Sequence, residues 1–244
     1  EPNDGMRDKQ ENKLKKFSSI GIEIIWSNLE EIEEKSINGI VIANEVLDAL
    51  PVERITFLKG KLFRQAVSVD KASLRIFLDE LPITRELEKS IELSKSLLGI
   101  NIPPNDAPEG WTSEWHLNNS KWLKVLYEKI NNGILLIIDY AKEAKSYYSP
   151  KNSNGTIISY KKQKIVNNIL DSPGNCDITS HVCSDTLIND AETLGFETMG
   201  MAKQGEALLA LGLAERLYEI QIDLKEDLSR ALSRREALLR LVDP

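Results

Sequence analysis

Apolar residues along this chain gather into short runs that end abruptly on polar groups, and the pattern occurs twice. Ile40-Val41-Ile42-Ala43 runs into Asn44-Glu45, with Asp48 and Pro51 beyond; Ile134 to Ile138 runs into Asp139-Tyr140. Such runs predict buried strands of a parallel sheet. In open α/β sheets, ligands bind just past the carboxyl ends of the strands. Asn44, Glu45, Asp48, Asp139 and Tyr140 are therefore candidate site residues.

Around these runs the pattern alternates between helix and strand. Asp4 to Ser18 predicts a solvated helix with a narrow apolar stripe. Ile22 to Trp26 predicts a short strand, followed by an acidic helix to Glu34 capped by Ser27 or Asn28. After Pro51 the period becomes two: Ile55 and Phe57, then Phe63 to Val69, then Leu74 to Leu78, with a tight turn at Lys59-Gly60. This predicts an antiparallel meander inserted into the α/β core. Thr84 caps a helix through Leu98 that Gly99 ends, with Leu87, Ile91 and Leu98 inward. The proline-bearing stretch 102–110 reads as a loop.

Asn119 caps a second helix, with Trp122, Leu123, Leu126, Tyr127 and Ile130 on one face, and Gly133 stops it. Residues 141–175 are Lys-, Asn- and Ser-rich, with a strand at 156–160. Asp177-Ile-Thr-Ser-His181 is a compact polar cluster before a helix over 185–194, and 196–201 is read as a last strand. Residues 204–242 are helical in character, with a stripe of Leu213, Leu217, Ile220, Leu224 and Leu228 that is expected to pack on the protein's own sheet.

The 244 residues suit one large domain, or a domain with an insertion. A net charge of −7 argues against nucleic acid as a partner. The longest apolar run is far short of the ~20 residues that a membrane span needs, and the N-terminal residues lack the apolar core of a secretory signal. With two cysteines and two histidines a zinc site is not expected; a reducing, cytoplasmic setting is. On pattern alone several candidates keep a plain structural reading. Asn44 could cap a helix whose first turn holds Glu45 and Asp48. His181 could be held by a backbone carbonyl, Asp139 and Asp177 could be turn residues, and Trp111, Trp115 and Trp122 could be core.

The segment G-I-V-I-A-N-E-V-L-D-A-L-P-V, 39–52, resembles the signature of the MidA-like S-adenosylmethionine-dependent methyltransferases, whose members include a protein arginine methyltransferase. The resemblance covers nearly the whole chain in order. Glu1-Pro2 with Met6-Arg7 and Gln10, Trp26-Ser27, Ile138-Asp139-Tyr140, Gly155-Thr156, Pro173-Gly174, Asp177-Ile178-Thr179, His181-Val182 and Gln204-Gly205 all fall in register. Ala141, Asn152 and Gln163 depart from the family's usual glycine, arginine and histidine. The family's first strand and its Gly-rich cofactor loop would lie upstream of Glu1. The chain is therefore expected to be a partial domain, an ordered portion of a longer protein.

The resemblance implies an α/β fold, a Rossmann-like class I methyltransferase sheet with an inserted antiparallel β/helical substrate region and a helical C-terminus. The expected divisions are a partial cofactor-binding core (1–51), the inserted meander and helix (52–118), core again (119–140), a substrate-side insertion (141–183), and a core strand with C-terminal helices (184–244). Strands 22–26 and 40–43 would be the third and fourth of the sheet. The implied cofactor is S-adenosylmethionine, contacted by Glu1, Asn28 and Asn44. Asn44, Glu45 and Asp48 are the implied catalytic residues, and Asp139, Tyr140, Asp177 and His181 the substrate mouth. The implied partner is a protein substrate, with a homodimer compatible. An arginine guanidinium stays protonated in water (pKa ~13), so a carboxylate such as Glu45 would hold it by charge-assisted hydrogen bonds. The competing readings are a non-catalytic assembly or binding protein on the same scaffold, and more distantly a nicotinamide-dependent oxidoreductase.

Overall fold

The computed structural model describes residues 4–18, 20–166, 168–171, 173–222 and 228–242. The two apolar runs find each other. Strands β1 (Ile37–Asn44) and β6 (Ile130–Ile138) pair in parallel, so that Asn44 ends opposite Ile138. Gly39 lies opposite Gly133, and a Cβ on Gly133 would stand 2.1 Å from the Gly39 carbonyl oxygen. Gly133 is thus a close-approach residue inside the strand, not the helix stop expected. Helix α3 (Leu117–Lys129) passes straight into β6, and Lys35 Nζ donates to the carbonyls of Tyr127 and Ile130 at that junction.

One face of this pair packs inward: Ala43 and Ile137 join Leu47, Trp122, Val182 and Leu187. On the other face Ile40 and Ile42 are 67% and 63% exposed, next to half-exposed Ile134 and Leu136. The helix expected over 4–18 forms as α1 (Asp4–Ser18). The strand expected over 22–26 does not form; these residues run without ladder partners into a single 3-10 turn, Leu29–Glu31, which is all that exists of the expected acidic helix. A strand needs a neighbour for its backbone groups, and among the described residues β1 pairs with β6 alone.

The meander is a four-stranded antiparallel sheet in the order β4-β3-β2-β5, from β2 (Glu53–Leu58), β3 (Lys61–Val69), β4 (Ile76–Pro82) and β5 (Thr112–Trp115). Lys59-Gly60 makes the β2–β3 turn as expected, both residues at positive φ; β5 lies in a segment for which no strand was expected. Helix α2 (Arg85–Leu98) begins where Thr84 Oγ1 accepts the Leu87 amide and ends at left-handed Gly99. Its Leu87 and Ile91 pack with Ile55, Trp111, Trp115, Tyr147, Tyr148 and Cys183 in the larger core.

Beyond β6 come β7 (Ala141–Lys142), α4 (Ala144–Tyr147), a small sheet of β8 (Ile158–Lys161), β9 (Lys164–Val166) and β10 (Asp177–Thr179), then β11 (Val182–Cys183) beside β7. Helix α5 (Ser184–Leu194) ends at Gly195 as expected and packs on α3. The last strand expected at 196–201 is absent, and His116, not Asn119, precedes α3. Helices α6 (Gln204–Ala210), α7 (Leu213–Ile222) and α8 (Leu228–Arg240) account for the helical tail; α7 packs against both α6 and α8. Of the expected stripe, Leu224 lies outside the described residues, while Leu213 is buried.

The Gly39–Gly133 approach gives a direct check. A Gly133→Ala chain must push the two strands apart or bend them, so urea unfolding should show a loss of about 1–3 kcal/mol. An unchanged midpoint would contradict the observed register.

Candidate functional site

The site is built where β1 and β6 end side by side. After Asn44 the chain leaves the strand at Glu45, whose φ of 49° is a left-handed conformation uncommon outside glycine. The Glu45 amide still donates to the Ile138 carbonyl at 2.8 Å, so the two strand ends stay locked through the bend. Residues 45–50 then turn without forming a helix, which sets aside the reading of Asn44 as a helix cap.

The amides in this turn are taken by Asp139. Its Oδ2 accepts from Leu47 N at 3.0 Å and Asp48 N at 3.3 Å, and its Oδ1 accepts from Tyr140 N at 2.8 Å. The loop between β10 and β11 closes the other side. The Ser180 amide donates to the Asp48 carbonyl (3.0 Å), and the Val182 amide donates to the Tyr140 carbonyl (2.7 Å). Between them the His181 ring stacks on Tyr140, with centroids 6.1 Å apart and planes 17° from parallel.

Asp48 is 5% exposed, and its Oδ1 is buried with no hydrogen-bond partner among the described residues. Burial, then the charges of Asp139 and Glu45, raise its carboxyl to about 6. Burial and the Lys142 charge lower the His181 imidazole, while Asp139 opposes them. Glu45, Asp48 and Asp139 thus gather negative charge beside one aromatic stack, an arrangement that suits a cation, with Asn44 and Glu45 exposed.

Most of the candidates read from sequence are brought together here: Asn44, Glu45, Asp48, Asp139, Tyr140 and His181. Two are not. Asn28 is exposed and engaged with Glu31, its amide donating to Glu31 Oε2 at 2.9 Å. Asp177 is exposed at the start of β10, opposite Tyr160, without a hydrogen bond to the cluster among the described residues. Glu1 lies outside the described residues.

Comparison with known proteins decides the family. A family model described as "Putative S-adenosyl-L-methionine-dependent methyltransferase" matches residues 1–202. The chain belongs to this family. A Burkholderia thailandensis protein solved with S-adenosyl-homocysteine bound is similar at a TM-score of 0.70 and 24% identity, over 87% of this chain and 50% of that one. A native structure of an uncharacterized protein from the same organism and superfamily gives 0.69 and 25%, over 85% and 51%. The chain thus spans about half the length of the structures it matches. No curated protein matches it.

Within this MidA-like chain, the α/β arrangement is that of a Rossmann-like methyltransferase, with the site at the carboxyl edge of the parallel pair. No helix among the described residues is long and apolar enough to cross a membrane. Sequence reasoning missed two residues that support the site, Glu114 and His116. Both are buried, and the signal available was a charged and a titratable residue flanking Trp115 in T-S-E-W-H.

The raised Asp48 carboxyl has a defined sign. Its folded value lies above the unfolded one, so the stability it contributes is fully present below pH ~3.8 and lost as pH rises through about 6. Carbon-detected NMR of the Asp48 carboxyl should titrate near 6. Asp139→Asn, which removes a like charge but keeps an acceptor oxygen, should move the midpoint downward without restoring it fully, since burial is the larger cause. A midpoint near 4 in the unsubstituted protein would contradict this site.

Proposed function

We propose that the ends of β1 and β6 form the acceptor side of an S-adenosylmethionine-dependent methyl transfer, and that the acceptor is an arginine of a protein substrate. The observation supporting this is the convergence of Glu45, Asp48 and Asp139 beside the Tyr140–His181 stack, in a chain of this methyltransferase family. When bound, S-adenosylmethionine supplies an electrophilic methyl on a sulfonium. The residues present fit such a group: Asn44 offers an exposed amide at a strand end, and Asp48 Oδ1, buried without a partner among the described residues, lies in acidic surroundings suited to a cation. Asn44 would hold the cofactor; Asn28, engaged with Glu31 away from the strand ends, is not assigned to it.

The chain's own residues then have distinct tasks. Glu45 would grip the guanidinium by charge-assisted hydrogen bonds, localising positive charge on the nitrogens it holds and leaving the third more nucleophilic. Asp139, fixed by three backbone amides, would keep the acidic turn in place. Asp48, buried behind Glu45 and ionised above about 6, would orient Glu45 or the guanidinium through its charge, and the proton released at the attacking nitrogen would leave to water. Tyr140 and His181 would form an aromatic wall for the substrate, with Asp177 further out on the mouth.

Calorimetric titration of the full-length protein tests both halves. S-adenosylmethionine should bind in the micromolar range; no binding would favour the non-catalytic assembly protein. With S-adenosyl-homocysteine present, arginine amide as a guanidinium probe should bind ~10- to 100-fold more weakly to Glu45→Gln, the worth of a hydrogen bond to a charged group. Equal binding by the variant would contradict the role given to Glu45.

A further inference from the structure

Glu114 lies in the antiparallel sheet, on β5, yet the donors to its side chain come from residues 147–157, outside that sheet. It is fully buried, and its carboxylate collects donors: Oε2 accepts from the Thr156 amide (2.8 Å), the Thr156 hydroxyl (3.1 Å) and the Tyr147 hydroxyl (3.2 Å). Arg54 Nε stands 3.9 Å from Oε1. Gly155 makes this approach feasible. Its φ is +74°, and a Cβ there would sit 2.1 Å from Glu114 Oε1.

The direction of the hydrogen bonds carries the inference. A carboxylate only accepts, so the Thr156 hydroxyl donates to Glu114 and keeps its lone pairs for another donor. That donor is the His181 amide, at 3.0 Å. The consecutive amides of Ser180, His181 and Val182 thus have three separate anchors: the Asp48 carbonyl, the Thr156 hydroxyl and the Tyr140 carbonyl. The outer two anchors belong to the site. The middle one is set by Glu114.

Tyr147 reinforces the same point. Its hydroxyl also lies 3.1 Å from Thr156 Oγ1 and 3.1 Å from His116 Nε2. Burial lowers the His116 imidazole to about 4 against an opposing hydrogen bond with the His181 backbone, so the ring is neutral near pH 7, and its tautomer sets whether Nε2 donates to or accepts from Tyr147.

We infer that Glu114 is a positioning residue, which fixes His181 against Tyr140 at the substrate mouth through the Thr156 hydroxyl. The inference rests on the proposed acceptor site for its purpose, but its geometry can be read without any activity. Thr156→Ser keeps the hydroxyl; Thr156→Val keeps the shape and loses it; Glu114→Gln puts an amide NH2 where donors converge.

Residue-resolved hydrogen exchange of the full-length protein is the test. In the unsubstituted protein and T156S the His181 amide should be protected to a similar degree. In T156V and E114Q it should exchange at least ~10-fold faster, while Leu126 in the core of α3 is unchanged. The His181 ring, whose pKa is lowered in place, should titrate closer to its ordinary value in T156V and not in T156S. Unaltered His181 exchange in T156V, or equal acceleration at His181 and Leu126, would overturn the inference, the latter showing a purely structural role. Should T156V not fold, the unsubstituted protein decides: an unprotected His181 amide between protected Ser180 and Val182 overturns it, and a protected one supports it. Failure to bind S-adenosylmethionine would sink the proposed function while leaving this exchange pattern standing.

Discussion

The two oxygens of Asp139 hold the amides of Leu47, Asp48 and Tyr140, and the geometry of the site depends on that one carboxylate. Parallel strands end side by side without any covalent turn between them, so nothing in the ladder itself dictates where the chain goes afterwards. Asp139 supplies that instruction. By accepting amides from the β1 turn and from its own next residue, it keeps Glu45 bent outward and Asp48 turned inward. The loop from Ser180 to Val182 then docks on carbonyls that this arrangement has fixed.

The cost appears in Asp48. An acidic group buried beside two others is unfavourable when ionised, and near neutral pH the turn carries that penalty. His116 has the opposite sign. Its folded value is lowered to about 4, so its contribution is present above the ordinary histidine value near 6.5 and lost as pH falls through about 4. Between pH ~4 and ~6 the two slopes oppose one another. The pH dependence of overall stability will therefore look flatter than either group alone would give. Glu114 handles burial differently: with Arg54 at 3.9 Å the ion pair is loose, and converging hydrogen-bond donors do most of the compensation.

Much of this was legible in the residues. The runs at 40–43 and 134–138 are strands, the meander turns at Lys59-Gly60, and the caps at Thr84, Gly99 and Gly195 stand where pattern puts them. Local signals of this kind depend on a few neighbouring residues. Gly133 was misread because helix-stop glycine and close-approach glycine look alike until the register with Gly39 is known. Ile22 to Trp26 was misread because apolar composition permits a strand but only a partner makes one. Glu114 was invisible because its donors come from Tyr147, Thr156 and Ile157, more than thirty residues away. Asn28 and Asp177 were named through family resemblance, and the structure places both apart from the strand-end cluster.

The exposed apolar face of Ile40, Ile42, Ile134 and Leu136 lies on the same two strands that carry the site, whose acidic ends point past the sheet. The ladder is thus shared between an exposed apolar face and a turn whose Asp48 is buried. The most direct measurement is an NMR titration of the full-length protein with S-adenosyl-homocysteine, following backbone amides. Binding at the strand ends predicts shifts concentrated at Asn44 to Asp48, Asp139-Tyr140 and Ser180 to Val182. Shifts confined to the meander or the C-terminal helices, or none at saturating ligand, would contradict it.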